Sequence, residues 1–313
     1  MGCSAAELLI DLTPPECAAP ALSVGGKPAP RYFSNRAGLG ATWNCTDHQS
    51  GVSASRWMVY GATAELTVPL LARAVSIAGS SGVALAAVVL HQGVTYSSCV
   101  RAVNGAGAYG ANTCSIGAIF DGTPPRAGLV TDFGGASYVG SGASACTDWI
   151  GFRDQDSGLT HYTWQLYQEV GDTEVAVGKA MHINGTTDEM AGKTSNHKKC
   201  FREAFRDALS DGGRYFSEVV AYNGAVPTLP RAARSEGFVL DTTPPRAGSV
   251  RVQLRLPQAY DEQKSYPASI ENVTVVVTLS NGFVDWQSGI ASCTFNLKAT
   301  KQAAVSGVEV VPL

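Results

Sequence analysis

The chain has 313 residues, enough at roughly 100–200 residues per domain for two or three domains with cores of their own. Only 16% of the residues are charged, glycines number 34, and 23 basic against 26 acidic residues leave a net charge of −3. That balance provides no polycationic face for phosphates, so no nucleic acid partner is expected, and no run approaches the roughly 18 apolar residues of a membrane span.

In chain order, residues 1–10 contain no basic residue and only Leu8, Leu9 and Ile10 as an apolar cluster, which is not the pattern of a secretory signal. The opening Met1-Gly2-Cys3-Ser4 has Ala6 where an acylation site carries a small hydroxyl residue. A pentapeptide then punctuates the chain. Asp11-Leu12-Thr13-Pro14-Pro15 recurs as Asp121-Gly122-Thr123-Pro124-Pro125 and as Asp241-Thr242-Thr243-Pro244-Pro245, and the last two continue as Arg126-Ala127-Gly128 and Arg246-Ala247-Gly248. Repetition at this spacing marks unit boundaries, at 11–120, 121–240 and 241–313. A second signature lies inside each unit: Asp47, Ser50 and Gly51 with Trp57; Asp154, Ser157 and Gly158 with Trp164; Asp285, Ser288 and Gly289 with Phe295. A third closes the first two units, where Leu90, Gly93, Tyr96, Val100, Ala102, Asn104 and Gly105 match Leu209, Gly212, Tyr215, Val219, Ala221, Asn223 and Gly224 in order. Residues 55–60, 83–90, 95–103 and 161–167 are short, rich in β-branched or aromatic residues and bounded by turn formers, which predicts strands. Residues 200–209 repeat Phe201, Phe205 and Leu209 at intervals of four; standing where unit one has 83–90, they read as a strand with room for one helical turn. The expectation is an all-β chain of tandem antiparallel sandwiches, extended because paired prolines favour a semi-rigid polyproline II spacer.

The third signature resembles the end of strand E, the tyrosine corner and strand F of a fibronectin type III repeat. The run from Trp149 through Gly151, Phe152, Asp154 and Gly158 to Leu159 resembles the strand B to strand C segment of the Asp-x-Thr-Pro-Pro-linked variety, common in large extracellular proteins. Unit three keeps Gly282, Phe283 and Asp285 of it, whereas unit one shifts Trp43 by one position and has Cys45 in place of the Phe. The resemblance implies fibronectin type III or immunoglobulin-like sandwiches, Tyr96 and Tyr215 as corners pinned through their hydroxyls, and Trp57, Trp164 and Phe295 as buried strand C aromatics. It also implies that residues 1–10, with Cys3-Ser4 like Cys114-Ser115, are the last strand of a preceding repeat. Unit three is then an incomplete repeat ending after strand C near Val310, with residues 249–313 poorly stable alone. The family implies no catalytic residue, no cofactor and no fixed ligand.

Eight cysteines without a Cys-x-x-Cys pair or a histidine cluster favour disulfides, hence an oxidising compartment. On the implied strand order Cys99 and Cys114 face each other across the strand F to strand G hairpin. Cys17 at the start of strand A can meet Cys45 at the end of strand B, and Cys146 on strand B can meet Cys200. Cys3 and Cys293 are left over, with free buried thiols as the open alternative. Sequons stand at Asn44, Asn184 and Asn272; Asn184 borders a polar insertion relative to unit one, while Asn44 lies beside a cysteine inside a strand. The chain lacks a Gly-x-Ser-x-Gly elbow, a phosphate loop and a His-Glu-x-x-His motif, and the scattered His48, His91, His161, His182 and His197 read as surface side chains. Asp154 and Asp156, with Asp47 or Asp285 in the repeats and Asp121 or Asp241 at the boundaries, are calcium candidates. The competing reading is a turn in which the Asp side chain bonds local backbone amides. The expected role is a non-catalytic extracellular or cell-surface adhesion segment, with neighbouring repeats and other extracellular proteins or glycans as partners. The alternatives are the stalk of a secreted enzyme or receptor and a carbohydrate-binding module, the latter needing a row of exposed aromatics.

Overall fold

The computed structural model describes residues 10–63, 70–140, 145–184, 197–201, 209–255, 274–280, 282–294 and 308–309. Strands follow one another with no helix among the described residues. The first unit holds β1 (Glu16–Cys17), β2 (Ala21–Val24), β3 (Lys27–Pro28), β4 (Tyr32–Phe33), β5 (Leu39–Thr46), β6 (Val52–Ala62), β7 (Leu70–Ala78), β8 (Ser81–Ala86), β9 (Thr95–Asn104), β10 (Thr113–Cys114) and β11 (Ala118–Phe120). The second holds β12 (Leu129–Asp132), β13 (Tyr138–Gly140), β14 (Ala145–Ile150), β15 (Leu159–Val170), β16 (Thr173–Asn184), β17 (His197–Phe201), β18 (Arg214–Asn223), β19 (Pro230–Arg234) and β20 (Phe238–Asp241). The third holds β21 (Ser249–Arg255), β22 (Thr274–Ser280) and β23 (Val308–Glu309), joined in one sheet in that order.

The first two units share one plan. One sheet runs β1-β5-β2-β3 with β8 on the other side of β5, and its counterpart runs β12-β14-β17. The facing sheet runs β4-β11-β9-β6-β7, and its counterpart β13-β20-β18-β15-β16. All these pairings are antiparallel except the outermost, where β4 runs parallel to β11 and β13 parallel to β20. Alternation of side chains makes the sandwich. In β5, Leu39, Ala41, Trp43 and Cys45 are buried while Thr42, Asn44 and Thr46 are exposed, and the buried set meets Trp57, Val59, Tyr96, Val100 and Phe120 of the facing sheet. In the second unit Val130 and Trp149 meet Tyr162, Trp164, Leu166, Tyr215, Val219 and Phe238. Trp57 and Trp164 are both 0% exposed. Their indole N–H groups would be orphaned there without acceptors, and each has one: Ser98 Oγ for Trp57 and Thr147 Oγ1 for Trp164.

One local expectation is corrected. β8 ends at Ala86, and Leu90 is a buried residue beyond the strand, next to the corner. Of the strand expected at residues 200–209, Cys200 and Phe201 are the last residues of β17, and residues 202–208 lie outside the described residues. Residues 282–294 of unit three form no strand; Phe295, expected on strand C, lies outside the described residues, as do residues 1–9 with Cys3. The shift of Trp43 in unit one is accommodated locally. Cys45 and Phe152 both stand two residues before the turn Asp; the Phe152 ring packs against Tyr162, whereas the buried Cys45 is bridged to Cys17 on β1.

Each sheet crossover is pinned by a tyrosine hydroxyl. Tyr96 and Tyr215 are 2% and 0% exposed, and their Oη atoms accept from the backbone N–H of His91 at 2.9 Å and of Ser210 at 2.7 Å. Tyr215→Phe removes the acceptor of the Ser210 N–H and is expected to cost about 0.5–1.5 kcal/mol of second-unit stability in urea unfolding. A loss below about 0.5 kcal/mol would show that the hydroxyl is not the pin.

Candidate functional site at the unit junctions

The three recurring signatures meet at one place in each of the first two units. In the second, Asp154 opens the turn after β14, and its Oδ1 accepts from the amides of Asp156, Ser157 and Gly158 at 3.2, 2.9 and 3.1 Å. That closes the turn, and Gly158 at φ +72° supplies the left-handed residue the turn requires. Asp121 arrives from the linker. Its Oδ1 is capped by the amide and hydroxyl of Thr123, which explains the Thr two places after the Asp, and its Oδ2 accepts from Ser157 Oγ at 2.5 Å. The third participant is Asn223 at the end of β18. Its Nδ2 donates to Asp121 Oδ2 at 3.0 Å, Thr123 O at 3.2 Å and Asp154 Oδ2 at 3.3 Å, while its Oδ1 accepts from Leu229 N at 2.9 Å. Gly224 follows because a Cβ there would stand 2.6 Å from Ser157 O. Asp121 and Asn223 are 0% exposed and Asp154 8%.

Unit one repeats the arrangement. Asp11 accepts from Thr13, from Ser50 and from Asn104 Nδ2; Asp47 Oδ1 takes the amides of Gln49, Ser50 and Gly51; and Asn104 Nδ2 also reaches Thr13 O and Asp47 Oδ2. In unit three Asp241 is capped by Thr243, and Asp285 Oδ1 takes the amides of Gln287 and Ser288.

The junction between the first and second units is built on this node. Val226, just past Asn223, bridges to Phe33 on the free edge of β4. Its N–H donates to Tyr32 O and its carbonyl accepts from Ser34 N, both at 3.2 Å, and Ser34 Oγ donates to Pro227 O at 2.6 Å. On the other side Gln92 Nε2 donates to Asp121 Oδ1 at 2.8 Å and Asp156 Oδ2 at 2.6 Å, and Gln92 Oε1 accepts from Gly122 N.

These contacts locate the calcium candidates. Asp154 is occupied by backbone amides and Asn223, Asp156 turns outward to Gln92, and among the described residues no group of three or more acidic, His or Cys side chains is placed to hold a metal ion. Of the cysteines, Cys17 is joined to Cys45 (S–S 2.10 Å) and Cys99 to Cys114 (S–S 2.01 Å); Cys146 is disulfide-bonded and stands opposite Cys200 in the ladder; Cys293 is an exposed free thiol. Asn44 is exposed on β5, Asn184 is the exposed last residue of β16, and Asn272 lies outside the described residues. The histidines correct an expectation, because antiparallel pairing of β15 and β16 brings His161 and His182 together with ring centroids 4.6 Å apart, His161 also stacking on Tyr222. Burial, then the neighbouring His182, lowers the His161 pKa.

Sequence reasoning missed the bridging role of Asn104 and Asn223, the pairing of Val226 with β4, and a polar network inside the second core. There the buried Asp132 accepts from Thr147 Oγ1, Ser217 N and Ser235 Oγ, and Thr147 in turn accepts from Trp164. The corresponding strand of unit one ends in the apolar Val24. The available signal was an acid ending the strand Leu129–Asp132 at a position that alternation assigns to the core.

No protein-family model matches the chain, and no curated protein matches it. Among solved structures, the chain is similar to a Ca2+-stabilised adhesin that helps an Antarctic bacterium reach out and bind ice, at 11% identity over 76% of this chain with a TM-score of 0.37; it spans about half (52%) of that protein. It is also similar to the FN1–FN3 domains of chicken CNTN1, at 16% identity over 73% of this chain and 68% of the other with a TM-score of 0.30. A third is the ICAM-5 D1–D4 ectodomain fragment, at 12% identity, 74% and 58% coverage and a TM-score of 0.32.

The nodes differ in their titration. Burial, then the Asp121 carboxylate, raises the Asp154 pKa above the ordinary 3.8. Hydrogen bonds lower three others, chiefly from Ser50 for Asp11, from Thr242 for Asp211 and from Ser288 for Asp241. A carboxyl raised on folding loses stability as pH climbs from 3.8 through its folded value. A lowered one contributes fully above 3.8 and is lost as pH falls through its folded value. Carboxyl-carbon NMR on acidification should therefore show Asp154 protonating first, above 3.8, with Asp11, Asp211 and Asp241 following below it. An Asp154 midpoint below 3.8 would contradict the buried, crowded node.

Proposed function

We propose that this chain is a non-catalytic structural and adhesion segment of the extracellular space or cell surface, in which fibronectin type III-like sandwiches hold binding surfaces at a set spacing. The observation that carries the reading is the junction itself: the Val226 backbone adds to the free edge of β4, so one unit is hydrogen-bonded to the next through main chain as well as through the Gln92 side chain. A linker that merely tethered two domains would need neither. The bridges Cys17–Cys45 and Cys99–Cys114 support the compartment, because cross-strand disulfides persist where thiols are oxidised. The recurring aromatics give a carbohydrate-binding role no support, since Trp57 and Trp164 lie in the cores and cannot stack on a sugar. The partners on this reading are neighbouring units and extracellular proteins or glycans, and Asn184 and Asn44 are surface positions open to glycosylation.

The test is non-reducing peptide mapping of the chain secreted from eukaryotic cells, followed by cell adhesion to surfaces coated with it. Intact Cys17–Cys45 and Cys99–Cys114 bridges, with adhesion above an uncoated control, are expected. Eight free thiols would overturn the compartment, and adhesion no better than the control would overturn the role.

A further inference from the structure

Two side-chain positions at the junctions exchange identities from one junction to the next. The residue before the corner glycine is Gln92 in unit one and Asp211 in unit two; the third residue of the turn it meets is Asp156 in unit two and Gln287 in unit three. In the first junction the amide is on the preceding unit, Gln92 Nε2 donating to Asp156 Oδ2 at 2.6 Å. In the second it is on the following unit, Gln287 Nε2 donating to Asp211 Oδ2 at 2.8 Å. The other end of the first-named residue does the same work in both: Gln92 Oε1 accepts from Gly122 N at 2.8 Å, and Asp211 Oδ1 from Thr242 N at 2.6 Å. Both pairs are amide with carboxylate, reversed in direction.

We infer that this pair is a matching code that sets which unit can follow which: a unit with Gln before its corner glycine accepts a successor whose turn carries Asp, and one with Asp there accepts a successor whose turn carries Gln. The physical reason is exclusion. Unit two placed after another copy of itself would set Asp211 against Asp156, two carboxylates at hydrogen-bonding distance with no proton between them, whereas the native order always supplies a donor. The space is also fitted to this pair, since a Cβ on Gly93 would stand 3.0 Å from Asp156 Oδ1. The rule concerns the order of units and holds whatever surface the chain adheres to.

Amide hydrogen exchange on the full chain reads this out at Val226 and Ser34, whose N–H groups bond across the first junction, with Gly158 as an internal control of second-unit folding. Gln92→Asp sets two carboxylates together and should lower protection at Val226 and Ser34 by about tenfold while Gly158 stays protected. Gln92→Asp with Asp156→Gln restores an amide–carboxylate pair, in the direction it has at the second junction, and should restore protection. An unchanged single variant, or a double variant no better than the single, would overturn the code. Should Gln92→Asp also expose Gly158, the mirror pair decides: Gln287→Asp should lower protection of the Thr242 amide and added Asp211→Gln restore it, and failure of that rescue is equally contrary.

Discussion

Two carboxylates held side by side out of water repel each other unless something between them donates to both. In the second unit Asp121 and Asp154 are such a pair, and the Asn223 side-chain amide is the group between them. Much of the architecture follows from that requirement. Asp121 belongs to the linker, Asp154 to the turn between the sheets and Asn223 to the end of β18, so satisfying one amide ties the start, the middle and the end of the unit together. Asparagine suits the position: its Nδ2 serves the acceptors, its Oδ1 takes the Leu229 amide, and an aspartate there would add a third negative charge.

The node also orients the junction. Because Asn223 is fixed, Val226 three residues later is delivered to the edge of β4, and because Asp121 is fixed, its other oxygen is presented to Gln92. The Thr-Pro-Pro linker is therefore anchored at the Asp two residues before its Thr, and the prolines stiffen the chain beyond that anchor. An edge strand, ordinarily an aggregation hazard, is covered here by the next unit of the same chain.

The fold class was legible because its evidence is local: short runs rich in β-branched or aromatic residues at 55–60, 95–103 and 161–167, turn residues between them, and no sustained helical pattern. The strand limits were less so. Leu90 continues the apolar run of 83–89 in sequence yet packs beyond the strand, since burial and strand pairing are different demands. Recurrence singled out Asp11, Asp47, Ser50 and Asn104 without saying that they meet, because Asn104 lies 93 residues from Asp11 and only the register of the sheets brings it back. Gln92 and Asp211 escaped notice because repeats were compared by identity, and a pair that reverses its identities differs at both positions. His161 and His182 escaped because their meeting depends on a hairpin whose register the sequence leaves open.

The central claim is that the paired carboxylates are closed by an asparagine amide and not by a cation. A crystal structure of the chain grown in millimolar calcium tests it most directly. The account predicts Asn223 Nδ2 between Asp121 and Asp154, with no ion density there. A cation coordinated by both carboxylates, with the Asn223 side chain turned away, would contradict it.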